Sequence, residues 1–264
     1  PAVTLRHFTT MTSGYRAMGD EPRGSYFHGP SPTPFLPGPP LFSPPGSRYA
    51  YWDSAMNQFA HVLTRIAGEP LVELFRRRIA DPIGMRPDKW KWGAFETGGI
   101  AVNGGSGNSN RHIFICALEM ARLGHLFLNK GNWNGRQLLG ARWVEQATRV
   151  QVPATVPVAQ PDPGFGGPGR YGFNWWANGV DAHGRRAWPG VPEDAFAASG
   201  HNNNKLFVLP SWSMVVVRLG LDQGGEGGFE VPGETWAAFL RRLGEASGAP
   251  LAADGPAGAE SRYE

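Results

Sequence analysis

The chain has 264 residues, a formal net charge of +3 and a single cysteine. A chain of this length forms one large domain or two small ones around a sizeable core. It has no basic tract of the kind that holds nucleic acid and no apolar run near the roughly 18 residues that span a bilayer, and its lone Cys116 excludes an intrachain disulfide. Its 37 Gly, 24 Pro and 10 Trp fit a loop-rich fold with large aromatic packing surfaces, not a helical bundle.

Residues 5–14 read as a short helix ended by Gly14. Residues 16–47 read as a long Pro-rich loop, with eight prolines from Pro30 to Pro45 ruling out regular structure there. Tyr26, Phe27, Phe35 and Phe42 favour an ordered loop over a linker. An amphipathic helix follows, with Met56, Phe59, Leu63 and Ile66 at helical spacing and Gly68 at its end. A second helix is expected over about 70–80, with Pro70 in its first turn, an apolar face of Leu71, Leu74, Phe75 and Ile79, and Pro82 as the stop. Residues 100–111 read as a Gly/Asn/Ser loop that shapes a groove wall. A helix over about 115–129 buries Cys116, Met120, Leu123 and Phe127. Asn134-Gly135 marks a tight turn, and 141–149 is another short helix.

After Val152 the periodicity changes from 3.6 to 2. Tyr171, Phe173 and Trp175 alternate as a strand, and 196–199, 205–209 and 213–219 read as three more, with Pro210-Ser211 turning the last pair. A closing helix over about 234–246 presents Trp236, Phe239, Leu240 and Leu243, and the tail from Gly248 reads as frayed. The expected fold class is α+β in two lobes: a helical lobe with the Pro-rich loop (1–150), an antiparallel sheet flanked by helices with its C-terminal helix (151–247), and a flexible tail (248–264).

Three motifs carry chemistry. Residues 45–85 begin with a Pro-Gly turn, pass through Tyr51-Trp52-Asp53 into a helix, and close a second helix on Pro82-Ile83-Gly84-Met85. Residues 3–15 read VTLRHFTTMTSGY. Ala198-Ser199-Gly200 sits on the first strand of a predicted hairpin. Together these stretches resemble the penicillin-recognising serine hydrolases of class C β-lactamase type, over most of residues 3–245. The resemblance implies a β-lactamase/transpeptidase-like fold with the active site in the groove between its lobes. It also implies a small-molecule ester or amide substrate, an acyl-enzyme and no cofactor. Tyr51 falls where the family keeps a catalytic proton shuttle; its own surroundings alone favour a tyrosine packing before a helix, and it is the resemblance that reverses this.

Asp53 stands where the family usually has Asn. A carboxylate only accepts hydrogen bonds, whereas Asn donates as well, so this change points away from β-lactams. Asp53 is also suited to cap the helix that follows. Ala198 replaces the family's Lys or His. The resemblance makes the His201 amide an oxyanion-hole donor, Ser199 a partner for a substrate carbonyl or carboxylate, Gly200 a site of close substrate approach, and Trp52 a substrate-binding neighbour of Tyr51. The His201 side chain is a candidate for the lost cation, against the reading of an exposed loop histidine. None of the four lysines has Ser three positions before it, so the nucleophilic Ser-x-x-Lys motif is absent. The resemblance places that motif, and the elements that complete the sheet, upstream of Pro1.

The seven histidines show no metal-ligand spacing. Trp92, Trp175 and Trp176 read as core residues or cleft walls. Two functions therefore compete: a serine hydrolase on an ester or amide, and a non-catalytic binding module on the same fold.

Overall fold

The computed structural model describes residues 2–20, 31, 33–105, 111–159, 166–220 and 231–250. Helix α1 (Leu5–Thr9) opens with a reciprocal cap: the Thr4 hydroxyl accepts the His7 amide at 3.3 Å, and the His7 ring accepts the Thr4 amide at 3.2 Å. This is the Ser/Thr-x-x-Glu arrangement with an imidazole in place of the carboxylate. The helix is shorter than expected. The hydroxyls of Thr9 and Thr10 both donate to the Arg6 carbonyl, an alternative to the next helical turn, and Met11 adopts a left-handed φ of 56°.

The described part of 16–47 has neither helix nor strand, as its prolines dictate. Backbone bonds nonetheless fix its ends: Met18 N–H to Leu36 O at 2.8 Å and Gly38 N–H to Arg16 O at 2.9 Å. Phe35 packs edge-on against Phe95. Tyr26 and Phe27 lie outside the described residues.

Helix α2 (Asp53–Ala67) ends at Gly68, whose φ of 71° supplies the left-handed cap. The N-cap is Trp52, so Asp53 is the first helical residue and not the cap. There its charge suits the positive end of the helix dipole. Ile66 is 66% exposed, contrary to the expected apolar face. The buried stripe runs instead through Asp53, Met56, Asn57, Ala60 and Thr64. Helix α3 (Leu71–Phe75) continues into a π-turn (Arg76–Ala80), with the Asp81 amide reaching the Arg76 carbonyl at 2.9 Å.

Two hairpin-like pairs follow that the sequence reading missed: β1 (Trp90–Trp92) with β4 (Ile113–Ile115), and β2 (Ala94–Thr97) with β3 (Ile100–Asn103). The turn between β2 and β3 is Gly98-Gly99, both with positive φ, as two-residue hairpins require. Residues 106–110 of the expected Gly/Asn/Ser loop lie outside the described residues. Cys116 is half-buried at the start of α4 (Ala117–Leu128). The expected turn at Asn134-Gly135 joins β5 (Asn132–Trp133) to β6 (Arg136–Gln137), with φ of 48° and 84°. Helix α5 (Ala141–Thr148) precedes the sheet.

The sheet has the order β10-β9-β8-β7, antiparallel throughout: β7 (Trp176–Ala177), β8 (Phe196–Gly200), β9 (Asn204–Leu209) and β10 (Met214–Arg218). The strand expected through Tyr171, Phe173 and Trp175 is a turn. Asn174 has φ of 58°, and the Gly172 amide bonds the Trp175 carbonyl at 2.8 Å, folding Tyr171 back onto Trp176. Helix α6 (Gly233–Ser247) covers one face of the sheet, where Ala197, Phe207 and Leu209 meet Trp236 and Leu240. Phe239, expected on that face, is half-exposed. Helices α4 and α5 cover the other face, where Phe127 and Val144 meet Phe196, Leu206 and Val208. Alternate residues of β8 and β9 thus enter two separate cores. Helix α4 approaches so closely that a Cβ on Gly124 would lie 2.7 Å from both Leu206 and Val215 side chains.

Candidate functional site

Tyr51 lies two residues before α2, on backbone pinned from both sides. The Tyr49 amide bonds Pro157 O at 3.0 Å, the Ala159 amide bonds Tyr49 O at 2.8 Å, and the Ala50 amide bonds Met11 O at 2.9 Å. The half-buried Tyr51 ring stacks on Trp176 with centroids 5.9 Å apart and planes at 25°. It meets Tyr171 edge-on at 6.2 Å, and Tyr171 meets Trp176 edge-on at 4.8 Å. Burial, followed by the proximity of Tyr51, pushes the Tyr171 phenol well above its ordinary pKa, so Tyr171 stays a neutral wall of this cluster.

Trp52 faces inward, only 2% exposed, among Phe8, Ala55 and Phe59. Its indole N–H donates to Asp20 Oδ2 at 3.0 Å. Asp20 is fully buried; it also accepts the Ser54 hydroxyl at 2.7 Å and the Ala17 amide at 2.8 Å. Burial raises the Asp20 pKa against the opposing pull of these bonds. Asp20 thus clamps the chain on the far side of Tyr51, and no spacing in the Pro-rich segment marked it. Asp53, 1% exposed, starts α2 immediately behind Trp52. The expectation that Trp52 faces substrate gives way to a supporting position.

The β8–β9 hairpin carries the other expected residues. Ala198 faces the α4/α5 core. Ser199 lies opposite Lys205 in the register, and the Lys205 ammonium donates to Ser199 Oγ at 2.5 Å. Lys205 is 7% exposed and sits 5.9 Å from the centroid of the Trp236 ring. His201 begins the turn after β8 with its side chain exposed, and its carbonyl accepts from Asn204. The cation beside Ser199 is therefore Lys205 and not His201. It also lies on the sheet face opposite Ala198, a relationship that strand pairing decides and that one strand's sequence does not reveal.

A cavity of about 140 Å³ adjoins this pair, walled by Trp176, Trp188 and Phe207 and edged by Arg170, Lys205 and Trp236. Trp176 belongs both to this wall and to the cluster around Tyr51. The Trp188 wall is held by Asn178, which is buried. Its side-chain oxygen accepts the Trp188 amide at 2.7 Å, and its NH₂ faces the carbonyls of Trp188, Val191 and Pro192. Among the described residues no group of three or more His, Cys, Asp or Glu could hold a metal, and no helix is long and apolar enough to cross a membrane.

The β-lactamase family model matches residues 1–231. The fold is similar to a candidate 6-aminohexanoate-dimer hydrolase from Bacillus anthracis at TM-score 0.62 and 18% identity, covering 94% of this chain and 62% of that one. It is also similar to a β-lactamase from Mycobacterium bovis at TM-score 0.61 and 17% identity, covering 94% and 75%. A penicillin-binding protein homologue from Caulobacter crescentus matches at TM-score 0.62 and 15% identity, covering 93% and 71%. An uncharacterized protein of Alkalihalophilus pseudofirmus is 22% identical over 134 residues, which are 51% of this chain and 36% of that protein. The chain thus spans well under two thirds of the Alkalihalophilus protein's length and slightly under two thirds of the Bacillus anthracis one's. The match over residues 1–231 and the shared α+β architecture place the chain in the β-lactamase family.

Proposed function

We propose that this chain carries the proton-transfer and substrate-binding elements of a serine hydrolase that cleaves a small-molecule ester or amide through an acyl-enzyme. The nucleophile is the serine of a Ser-x-x-Lys segment outside residues 1–264. The observation that carries this reading is the stacking of Tyr51 on Trp176, because Trp176 pairs with Ala197 in β8, two residues before Ser199. Phenol and substrate-binding strand are thereby joined through one ring.

In this reading Tyr51 takes the proton of the attacking serine hydroxyl and returns it to the leaving alkoxide or amine. It then takes a proton from the water that attacks the acyl group and passes it to the serine oxygen as that oxygen leaves, which restores the starting state. Asp53 orients the amine of the Ser-x-x-Lys segment. Ser199 bonds the substrate, and the His201 amide pairs with the nucleophile's own amide to hold the oxyanion. One such donor stabilises the transition state by about 3 kcal/mol. Gly200 leaves room beside the strand, since a Cβ there would find no atom nearer than 3.7 Å. Trp52 orients Tyr51 from behind.

The test uses the natural gene product with a fluorophosphonate probe and p-nitrophenyl esters. Tyr51→Phe lowers kcat by about 10²–10⁴-fold and abolishes labelling, while the 264-residue chain alone stays unlabelled. Labelling of that chain, or an unchanged kcat in Tyr51→Phe, overturns the proposal. The second reading, a binding module, is favoured by the absence of Ser-x-x-Lys from these 264 residues. A gene product that lacks the motif and binds esters without turnover decides for it.

A further inference from the structure

We infer that Trp176 is a specificity-determining residue. Its indole is the partition between the groove at Tyr51 and the cavity on the α6 side of the sheet, and it limits the length of the alcohol or amine that leaves. The partition is a matter of packing alone; the choice of leaving group rests on the hydrolase reading above.

Among the described residues, Trp176 is the one hydrophobic side chain that both packs against the cluster of Tyr49, Tyr51 and Tyr171 and lines the cavity. On the groove side its ring stacks on Tyr51, with centroids 5.9 Å apart, and meets Tyr171 edge-on at 4.8 Å. It also packs against the cluster of Trp188, Phe207 and Trp236, which belongs to the cavity. Strand β7 holds it in place: Trp176 pairs with Ala197 of β8, and the Ala177 amide bonds the Arg170 carbonyl at 2.8 Å. Its strand neighbours at the cavity, Ala177 and Ala197, are small, so the indole supplies the bulk at this point of the sheet.

In the mechanism above Tyr51 returns a proton to the leaving alkoxide or amine. That oxygen or nitrogen therefore comes within hydrogen-bond reach of the phenol, and the group it carries lies against the ring stacked on that phenol. A short leaving group ends in front of the indole. A longer one meets the ring before it reaches the cavity of about 140 Å³. That volume is close to the roughly 150 Å³ at which an apolar site takes up benzene. Trp188, Phe207 and Val231 give the cavity apolar walls, so each methylene admitted there favours binding by about fourfold. The substrate class selected by the intact ring is an ester or amide with a short leaving group.

The experiment compares hexyl butyrate with ethyl butyrate, which give the same acyl-enzyme and differ only in the leaving alcohol. In the natural gene product, Trp176→Ala raises kcat/KM for hexyl over ethyl butyrate by about tenfold or more. Trp176→Phe keeps a ring against Tyr51 and opens less space; it raises the ratio by about threefold or more and serves where the alanine variant does not fold. Adding Ala187→Leu, which fills the cavity from another wall, takes the gain away. A ring that only orients Tyr51 lowers both esters together, so an unchanged ratio overturns the inference, as does a gain that survives Ala187→Leu. Isothermal titration of the 264-residue chain with hexanol reads the partition without turnover. The Trp176→Ala chain binds with Kd at or below about 1 mM and the wild-type chain at least about tenfold more weakly; equal binding overturns the inference. Hexanol uptake by that variant, with a gene product that hydrolyses nothing, removes the hydrolase reading and upholds the partition. Turnover with an unchanged ester ratio does the reverse.

Discussion

The Trp52 indole and the Asp20 carboxylate form a buried hydrogen bond of 3.0 Å that spans 32 residues of sequence. It ties the Pro-rich segment to the residue after Tyr51. With Ser54 and Ala17 bonded to the same carboxylate, Asp20 satisfies three donors that water does not reach. Asp20→Ala removes the shared acceptor of all three, at about 1–3 kcal/mol for each donor that finds no replacement. Urea denaturation should therefore show a loss of about 3–5 kcal/mol, partly relaxed by rearrangement. A loss under about 1 kcal/mol would mean that the clamp is unimportant.

Asn178 makes the equivalent clamp for the cavity wall, through its bonds to Trp188, Val191 and Pro192. Asn178→Asp keeps the shape and the acceptor but turns an oxygen toward three carbonyls. The expected loss is about 3 kcal/mol or more, accompanied by a red shift of tryptophan emission as Trp188 becomes wetter. Wild-type emission with a wild-type urea midpoint would count against this role.

Asp181 gives the pH dependence. Burial pushes its carboxyl up, but the amides of Arg185 and His183 and the Arg170 and Arg185 guanidinium groups outweigh that and hold it below the usual range. A depressed folded pKa stabilises above the unfolded value near 3.9, and the benefit disappears as pH falls through the folded value. Asp181→Asn should therefore cost about 1–3 kcal/mol at pH 7, with the gap to wild type closing below about pH 4. Urea midpoints measured at both pH values check this, and a gap that does not change with pH would contradict it.

Gly124 separates two opposing effects. Alanine in a helix interior gains about 1 kcal/mol over glycine. Its Cβ would meet the Leu206 and Val215 methyls at 2.7 Å, an overpacking cost of about 1–3 kcal/mol. These side-chain ends can shift, so Gly124→Ala should fall within about 1 kcal/mol of wild type. Gly124→Val, with two more methyl groups and a stiff χ1, should lose about 2–4 kcal/mol. A thermal melt of both variants distinguishes the two effects, and equal melting points would refute this account of the α4–sheet approach.

Where a local signal fixes the backbone, the chain order was legible. Gly68 ends α2, Asn134-Gly135 turns β5 into β6, and alternation located β8, β9 and β10. The Gly98-Gly99 hairpin was equally legible, but its strands are only four residues long, and the second of them falls within the loop expected over 100–111. Alternation misled at Tyr171–Trp175, where the rings are buried by a turn through Asn174 rather than by a strand.

Taken alone, the amino-acid sequence determined the β-lactamase-type resemblance, the helices and the order of the sheet's hairpin, because capping residues, turn residues and hydrophobic periods act within a few neighbours. It also named Tyr51, Ser199 and Gly200 as residues to watch. Tertiary structure alone decided that Asp20 grips Trp52, that Tyr51 meets β8 through Trp176, and that Lys205 lies beside Ser199 on the face away from Ala198. These partners are brought together by cross-strand register and by burial of polar groups, and neither leaves a pattern in the residues adjacent along the chain.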